Sequence, residues 1–388
     1  MTVPSDAKRG KNICFVATIE YSIVVYLVNH IKAMSKLYDI TVITNTLDPV
    51  KLSELLGSVK VIHIPFERKI FIKKDFTALC GLIRHFRNEK YDAVHSLMPK
   101  TGLLVMLAGV ICGIPIRIHT FTGQVWATKT GVRRWFLLNM DRVIAILATN
   151  IMTDSHSQKL FIVKNKVVSD NKVSVLSHGS ICGVDTRKFM RDIASRSLLR
   201  RKYFIGKSDI VVLYLGRMTI DKGLLDLAQA YNRIRRDNAN VHLMLVGPDE
   251  QDLKSKITHI CSAYADKIHF VDYTNEPEKY MNCGDILCLP SYREGFGSVI
   301  IEAACVGIPS IATRIYGITD AIEDNVTGYL YEVKNIDDLI SNILRLVNNS
   351  EKRIKMGIAA RERVLRLFTK EIVTKEMVSY YNKLLYQQ

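Results

Sequence analysis

Short β-branched apolar runs alternate with longer amphipathic segments along this chain of 388 residues. Strands of a parallel sheet are apolar throughout because helices cover both faces, and the amphipathic segments between them predict those helices. The runs begin at Asn12, Asp39, Val59, Asp92, Ile116, Asn150, Lys172, Ile210, Val241, Lys267, Asp285 and Pro309. The pattern therefore predicts an α/β protein with parallel sheets.

The alternation is interrupted once, by a polar and basic stretch from Lys188 to Ser208, and then restarts. A chain of this length exceeds the usual size of one hydrophobic core, so two Rossmann-like, doubly wound domains are expected. We place them at residues 1–190 and 191–369, followed by a helix at 370–388 with one apolar face. Ligands of such sheets bind beyond the carboxyl ends of the strands, so the loops there are the candidate sites.

Charge is unevenly distributed along the chain. Residues 1–190 carry 26 Lys and Arg against 13 Asp and Glu, whereas the remainder carries 28 against 25. Such a basic half suits nucleic acid, an anionic membrane or a diphosphate ligand, or it is only a solvated face. The apolar run from Thr101 to Ile116 is too short to span a bilayer, and the eight cysteines have no metal spacing. We expect a cytoplasmic protein with reduced thiols.

The loop after the first strand of the second domain, LYLGRMTIDKG, combines glycines with two cations. These residues are Gly216, Arg217, Lys222 and Gly223. Glycine lets the backbone approach a ligand closely, and a forked guanidinium with a point-charged ammonium suits a diphosphate. An ordinary strand-to-helix connection with solvated charges explains the same residues equally well.

A later loop of the same domain, PSYREGFGSVIIEA, has the glycine-rich, strand-to-helix pattern of a phosphate site but carries two acidic residues. Gly295 and Gly297 precede a predicted helix that Ser298 is expected to cap, and the helix N-terminus favours an anion. Glu294 stands before the helix and Glu302 lies about one turn into it. Carboxylates accept hydrogen bonds from a vicinal diol. A nucleotide joined to a sugar meets both demands.

These motifs together resemble the donor site of retaining glycosyltransferases of the GT-B fold, glycosyltransferase family four. The resemblance rests on Glu294 and Glu302 with GFG between them, on the upstream GR....KG, and on GVDTRKF, VGPDE and ATRIYGITDAIEDNVTGYLYE. It covers nearly the whole chain and is strongest from Ser177 to Glu332. It implies two Rossmann-like domains facing a cleft, a C-terminal helix crossing back to the first domain, and a hexosyltransferase that retains anomeric configuration.

The resemblance implies roles by position. Arg217 and Lys222 would hold the donor diphosphate, Glu294 would accept from hydroxyls of the transferred sugar, and Glu302 would bind the nucleotide ribose. The implied donor-binding set is Gly216, Arg217, Lys222, Glu294, Gly295, Phe296, Gly297, Ser298 and Glu302. The implied catalytic set is His119, Glu294, Arg217 and Lys222.

His119 ends a predicted strand of the first domain, in RIHTFTGQVWATKTG. A lone histidine at a strand end is more often structural, but the resemblance implies that it faces the donor sugar. The polar candidates for the acceptor side are Thr122, Gly123, Gln124, Lys129 and Arg133. Many relatives carry a Gly-Gly loop after the first strand, where this chain has ATIEYSIVVY, so the acceptor side is expected to differ from theirs.

The expected function is transfer of a sugar from a UDP-sugar to a polyprenyl-diphosphate-linked saccharide, in O-antigen, capsule or related lipopolysaccharide and polysaccharide biosynthesis. The loop SHGSICGVD resembles relatives that use N-acetylated sugars, so an N-acetylated hexosamine or a related sugar is expected. The chain contains no Asp-x-Asp, and neither a metal nor another cofactor is expected. Arg217, Lys222 and the helix N-terminus would balance the charge of the leaving group.

The basic first domain and the stretch ERKIFIKKDF suit peripheral binding to the anionic inner face of the cytoplasmic membrane, although a polar loop explains that stretch equally well. Two alternatives remain open. One is a UDP-sugar epimerase of the same architecture. The other is a non-catalytic, basic assembly or nucleic-acid-binding protein, which only the charge suggests; the donor motifs argue against it, so no nucleic-acid partner is expected.

Overall fold

The computed structural model describes residues 10–67 and 69–386. The described chain divides into two compact units. The first runs to Cys182 and also contains the segment from Lys370, and the second extends from Gly183 to Thr369. The division therefore falls before residue 190, the boundary expected from the sequence. Each unit is built around one parallel sheet.

The first unit has, in its described residues, a seven-stranded sheet in the order β3-β2-β1-β4-β5-β6-β7. Its strands are β1 (Asn12–Ile19), β2 (Asp39–Asn45), β3 (Lys60–His63), β4 (Ala93–Leu97), β5 (Ile116–Phe121), β6 (Asn150–Thr153) and β7 (Val173–Val175). All neighbours pair in parallel. Each strand lies in a run predicted from the sequence, and the strand order reverses between β1 and β4, where Rossmann-like sheets bind ligands.

Helices cover both faces of this sheet. They are α1 (Glu20–Tyr26), α2 (Val28–Met34), α3 (Pro49–Leu55), α4 (Ile72–Asn88), α5 (Pro99–Ile111), α6 (Gly131–Leu147) and α7 (His156–Lys164). Side-chain caps mark two of their starts: Asp48 accepts from the amide of Lys51, and Ser155 accepts from that of Gln158. The amphipathic segment between β1 and β2 forms two helices that meet at Leu27, where the sequence pattern marks no break.

The second unit has, in its described part, a six-stranded parallel sheet in the order β10-β9-β8-β11-β12-β13. The strands are β8 (Ile210–Leu215), β9 (Val241–Val246), β10 (Ile268–Val271), β11 (Ile286–Leu289), β12 (Ser310–Thr313) and β13 (Gly328–Tyr331). The sequence did not predict β13, because four residues that begin with glycine make a weak strand pattern. The order of this sheet reverses between β8 and β11.

The helices of the second unit are α8 (Ile193–Lys202), α9 (Leu224–Arg235), α10 (Leu253–Ile260), α11 (Pro277–Cys283), α12 (Ser298–Val306), α13 (Ile318–Ala321), α14 (Ile336–Val347) and α15 (Ser350–Leu367). Three of these starts have side-chain caps, supplied by Asp192, Asn335 and Asn349. None of the helices in the described residues is long and apolar enough to cross a membrane.

The last helix, α16 (Lys370–Tyr386), packs within the first unit. Its Val373, Met377 and Tyr381 are buried, as the apolar face in the sequence predicts. The Tyr381 hydroxyl lies 2.7 Å from Nδ1 of His95, and the Tyr38 hydroxyl donates to Oδ1 of Asn382 at 2.6 Å. These polar contacts hold the helix in one register against the sheet.

Candidate functional site

A cation and a carboxylate meet at the switch point of the second sheet. Lys222 comes from the loop after β8 and Glu294 from the loop after β11, and the Lys222 Nζ lies 2.5 Å from Oε1 of Glu294. The Ser291 hydroxyl donates to the same oxygen at 2.8 Å. Both charged side chains are largely buried, with 20% and 14% exposed. The fold thus joins the two sequence motifs into one site.

The loops at this edge approach each other backbone to backbone. Gly223 has a φ of +68°, and a Cβ there would lie 2.0 Å from the carbonyl oxygen of Pro290. Gly317, after β12, has a φ of +87°, and its Cβ would lie 2.5 Å from the carbonyl oxygen of Gly295. Only glycine tolerates both the conformation and the approach. Gly223, which the sequence analysis assigned to ligand approach, therefore also serves, like Gly317, to pack these loops together.

The helix that begins at this site is α12, and its cap differs from the prediction. Gly297 occupies the N-cap position and Ser298 is the first helical residue, so among the described residues no side chain caps the helix. Phe296 is buried against the ring of Phe368, 5.3 Å away between centroids, which anchors the loop before the helix. The N-terminus of α12 still offers first-turn amides and the positive end of the helix dipole to an anion.

Arg217 lies at the same edge in a more exposed position. Its Nη1 is 2.9 Å from Oε2 of Glu250, and its carbonyl oxygen accepts from the Tyr214 hydroxyl at 2.7 Å. Burial raises the pKa of Tyr214 well above its ordinary value; the charge of Glu294 raises it further and that of Arg217 lowers it. The phenol therefore stays a neutral donor. Glu250 was not singled out, although it stands in the quoted VGPDE.

Glu302 lies deeper in α12 and in a different environment from Glu294. Burial raises the pKa of Glu302 to about 7, an effect that the Lys188 ammonium opposes and the Glu278 carboxylate strengthens. The Nζ of Lys188 lies 3.7 Å from Oε2 of Glu278. Burial thus favours the neutral form of the Glu302 carboxyl more than it would for an exposed glutamate. Sequence reasoning did not identify Lys188 and Glu278 as its neighbours, because they are distant in the chain.

The structure buries His119 within the first sheet. Its side chain has no exposed surface, its Nδ1 lies 2.9 Å from the Ser96 hydroxyl, and its ring packs edge-on against Phe121. Burial lowers the pKa of His119 to about 3, and its Nε2 has no partner among the described residues. The ring therefore lies in the core of the first sheet, the position that the structural alternative describes, and its contact with the donor sugar stays a prediction.

The acceptor-side candidates separate into buried and exposed groups. Gln124 is buried and accepts from Nε2 of Gln158 at 3.2 Å, so its role on the acceptor side stays a prediction. Gly123 is also buried, whereas Thr122 is partly exposed with its hydroxyl 4.0 Å from Sδ of Met98. Lys129 follows a short 3-10 helix at Val125–Thr128 and is partly exposed, and Arg133 is exposed at the start of α6.

Glu20 is a carboxylate that the sequence analysis overlooked. It directly follows β1, at the switch point of the first sheet, where the resemblance led us to look for a glycine pair. The Thr46 hydroxyl donates to its Oε2 at 2.6 Å. Across the switch point, Met98 at the end of β4 has a φ of +71°, a strained conformation that is enriched at binding sites. The sequence feature that could have identified Glu20 is its place as the one acidic residue of ATIEYSIVVY, directly after a predicted strand.

The site of the second unit combines cations, helix amides and carboxylates. Cations and amides can stabilise the charge of a phosphate group, and carboxylates can accept from hydroxyls. In residues 10–67 and 69–386, no three His, Cys, Asp or Glu side chains are gathered so that they could hold a metal ion.

Comparisons with known proteins agree with this geometry. The family model described as glycosyl transferases group 1 matches residues 195–363, and the one described as a glycosyl transferase 4-like domain matches residues 23–179. The capsular polysaccharide biosynthesis glycosyltransferase CapM of Staphylococcus aureus is 30% identical over 83% of this chain and 84% of its own. An Escherichia coli UDP-Gal:alpha-D-GlcNAc-diphosphoundecaprenol alpha-1,3-galactosyltransferase is 26% identical over 80% and 81%.

Solved structures match the whole fold. HepE of Anabaena, in complex with UDP and glucose, gives a TM-score of 0.81 at 17% identity, covering 96% of this chain and 100% of that one. Sucrose-phosphate synthase of Thermosynechococcus elongatus gives 0.81 at 19% identity, covering 98% and 100%. The two doubly wound units are those of the GT-B fold. The family models and the 30% identity with CapM show that the chain is a glycosyltransferase. The chain belongs to glycosyltransferase family four. Membership of this family excludes the two alternatives that the sequence analysis left open, a UDP-sugar epimerase and a non-catalytic protein.

Proposed function

We propose that this glycosyltransferase is a retaining, metal-independent enzyme of surface-polysaccharide assembly. It moves a sugar from a UDP-sugar to a polyprenyl-diphosphate-linked saccharide. The observation that carries the proposal is the pairing of Lys222 with Glu294 at the switch point of the second sheet, beside the N-terminus of α12. A diphosphate needs the cation and the helix amides, and a sugar needs the carboxylate.

The proposed donor contacts form three groups, one each for the diphosphate, the transferred sugar and the ribose. Lys222 and Arg217, with the first-turn amides of α12, neutralise the diphosphate as it leaves, which is electrostatic stabilisation of the transition state. Glu294 accepts from hydroxyls of the transferred sugar. Glu302 accepts from the ribose, and the ammonium of Lys188 favours the ionised form that this contact requires. Two cations at the diphosphate position supply charge that a metal ion supplies in other transferases.

The names of the relatives support the choice of donor and acceptor. That of the Escherichia coli galactosyltransferase states a UDP-sugar and a diphosphoundecaprenol-linked sugar, and HepE was solved with UDP and glucose. CapM is described as an enzyme of capsular polysaccharide biosynthesis. We extend these properties to this chain, with an N-acetylated hexosamine or a related sugar as the transferred group. The unit of residues 191–369 would bind the donor and that of residues 1–190, joined by 370–388, the acceptor.

A lipid-linked acceptor places the reaction at a membrane, so we propose peripheral binding to the inner face of the cytoplasmic membrane. The segment that leads into α4 and its first turn support this, because Lys69, Lys73 and Lys74 lie there with Phe71 and Phe76 exposed among them. Replacing the three lysines by glutamate should release the protein from anionic vesicles. Unchanged partitioning would remove this part of the proposal.

The proposal is tested with a matrix of donors and acceptors. UDP-, GDP- and dTDP-sugars are each offered with polyprenyl-diphosphate-linked saccharides, with and without EDTA, and the anomeric configuration of the product is read by NMR. The expected result is EDTA-resistant transfer from a UDP-sugar with retained configuration. Transfer only from GDP- or dTDP-sugars would overturn the choice of nucleotide, and an inverted product would overturn the mechanism. Loss of activity in EDTA that Mg²⁺ restores would overturn metal independence.

A further inference from the structure

The outer face of α6 is apolar, the reverse of what a surface helix normally presents to water. Val132, Trp135, Phe136, Val143 and Ile146 all lie on it, because these positions recur at three-, four- and seven-residue steps. Val132 is 83% exposed, Trp135 64% and Ile146 74%. The opposite face of the same helix buries Ile144 and Ala145 in the core. The helix is therefore apolar on both sides, and only one side is covered.

A second exposed apolar group lies at the start of α4. Ile72 is 84% exposed, and Phe76, one turn further on, is exposed as well. α5 packs against both α4 and α6, and the Nζ of Lys100 at its start is 2.5 Å from Oδ1 of Asp75. All three helices return from the carboxyl edge of the first sheet, so their starts lie at the same end of it. We use the term α6 face for the surface that the exposed side chains of α6 (Val132, Trp135, Phe136, Val143 and Ile146) form together with Ile72 and Phe76 of α4.

Charges around the α6 face are predominantly positive. Arg133 on α6 and Lys73 on α4 are exposed and form no ion pair within the described residues. The acids of the two helices are engaged elsewhere: Asp75 pairs with Lys100, and Asp141 is buried and accepts from the indole of Trp126 at 2.8 Å. The face therefore combines an apolar centre with a cationic rim.

We propose that the α6 face docks on an anionic lipid bilayer, with Trp135 and Phe136 seated at the headgroup level and Arg133 on lipid phosphates. Amphipathic aromatic rings and basic residues are the side chains that bilayer interfaces favour. A second copy of the chain would bring like charges together, and a nucleic acid has no use for the apolar stripe. The inference rests on the proposed function, since a lipid-linked acceptor requires a membrane, and it adds the surface that makes the contact.

The two tryptophans of the chain make the contact directly measurable. Trp126 is fully buried, so its emission is a constant background, whereas Trp135 is exposed. The protein is titrated with phosphatidylglycerol–phosphatidylcholine vesicles, with no sugar donor or acceptor present. We expect a blue shift and quenching by brominated lipids, and neither with pure phosphatidylcholine. Because no transfer is measured, this result stands or falls independently of the proposed reaction.

Variants then locate the contact. Val132→Ser with Phe136→Ser keeps the reporter and should lower the vesicle partition coefficient at least about tenfold, since interfacial binding follows the apolar area buried. Arg133→Glu should lower it by about tenfold or more, because each basic side chain at an anionic surface contributes about fivefold. Ile354→Ser with Ile358→Ser removes a matched exposed pair on α15 and should leave partitioning unchanged.

Circular dichroism and urea unfolding check that the variants remain folded. An unshifted tryptophan spectrum with anionic vesicles would overturn the inference, as would equal partitioning of the α6 and α15 variants. Concentration-dependent dimerisation that buries Trp135 without lipid would also overturn it, in favour of a second copy as the occupant.

Discussion

Replacing Glu294 by glutamine should strengthen nucleotide binding while abolishing most turnover. Glutamine keeps the shape of the side chain and can still accept from the Ser291 hydroxyl, but it no longer holds Lys222 as an ion pair. Lys222 then becomes available to a diphosphate, and the negative charge that repels the diphosphate is gone. The same change weakens the acceptor that we assign to hydroxyls of the transferred sugar.

The magnitude follows from the geometry of the pair. A hydrogen bond to a charged group contributes about 1.5–3 kcal/mol. Both side chains retain some exposure, 20% for Lys222 and 14% for Glu294, so the lower end applies. An effect of about 1.4 kcal/mol corresponds to a factor of about ten in the dissociation constant. We therefore expect UDP to bind up to about tenfold tighter, and kcat to fall by about 10²–10³, the range for loss of one transition-state contact.

Isothermal titration calorimetry with UDP measures the first effect and initial rates of UDP release measure the second. Glu276→Gln is the matched control, because Glu276 forms an ion pair with Lys279 that lies on the exposed surface of the same unit. It should change neither quantity. Weaker UDP binding by a folded Glu294→Gln protein would refute the competition between Glu294 and the diphosphate. A kcat within a few-fold of the wild type would refute the sugar contact.

Three further predictions concern Lys222, Glu20 and His30. Lys222→Met should lower kcat by about 10²–10³ with the fold intact by circular dichroism, and a near-normal rate would remove the assigned role in diphosphate binding. Glu20→Gln should raise the KM for the acceptor several-fold and leave acceptor-independent donor hydrolysis unchanged, whereas a parallel loss of both activities would place Glu20 outside the acceptor site. Burial lowers the pKa of His30 from 6.5 to about 4, so the unfolded chain binds more protons between these values and stability is lost as pH falls through them. Between pH 7 and pH 5 the free energy of unfolding, measured with urea, should therefore fall by about 2 kcal/mol more for the wild type than for His30→Gln. Equal decreases in the two proteins would contradict the buried, neutral imidazole.

Local patterns were sufficient for most strands and for the donor motifs. Buried parallel strands such as β1 and β8 are continuous apolar runs that need no knowledge of their neighbours to be recognised. The break at Leu27 and the short strand β13 were missed, because neither leaves a periodic signal long enough to read. Both depend on packing against the rest of the sheet.

Burial was the property that sequence reasoning judged worst. His119 and Gln124 are polar residues near the end of a strand, a position that favours ligand contact as well as core structure. The structure buries both and pairs them with Ser96 and Gln158, partners that lie 23 and 34 residues away in the chain. The apolar outer face of α6 was not predicted, because apolar residues in a helical pattern do not show which of them remain exposed.

The sequence by itself determined the class of fold and indicated the residues of the candidate site, because strand periodicity, glycine spacing and the two glutamates are local properties of the chain. Only the tertiary structure decided which groups meet. Lys222 and Glu294 lie 72 residues apart and pair because β8 and β11 are neighbours in the sheet. Strand order is set by long-range packing, and burial by what covers each side chain, and neither is written in any short stretch of residues.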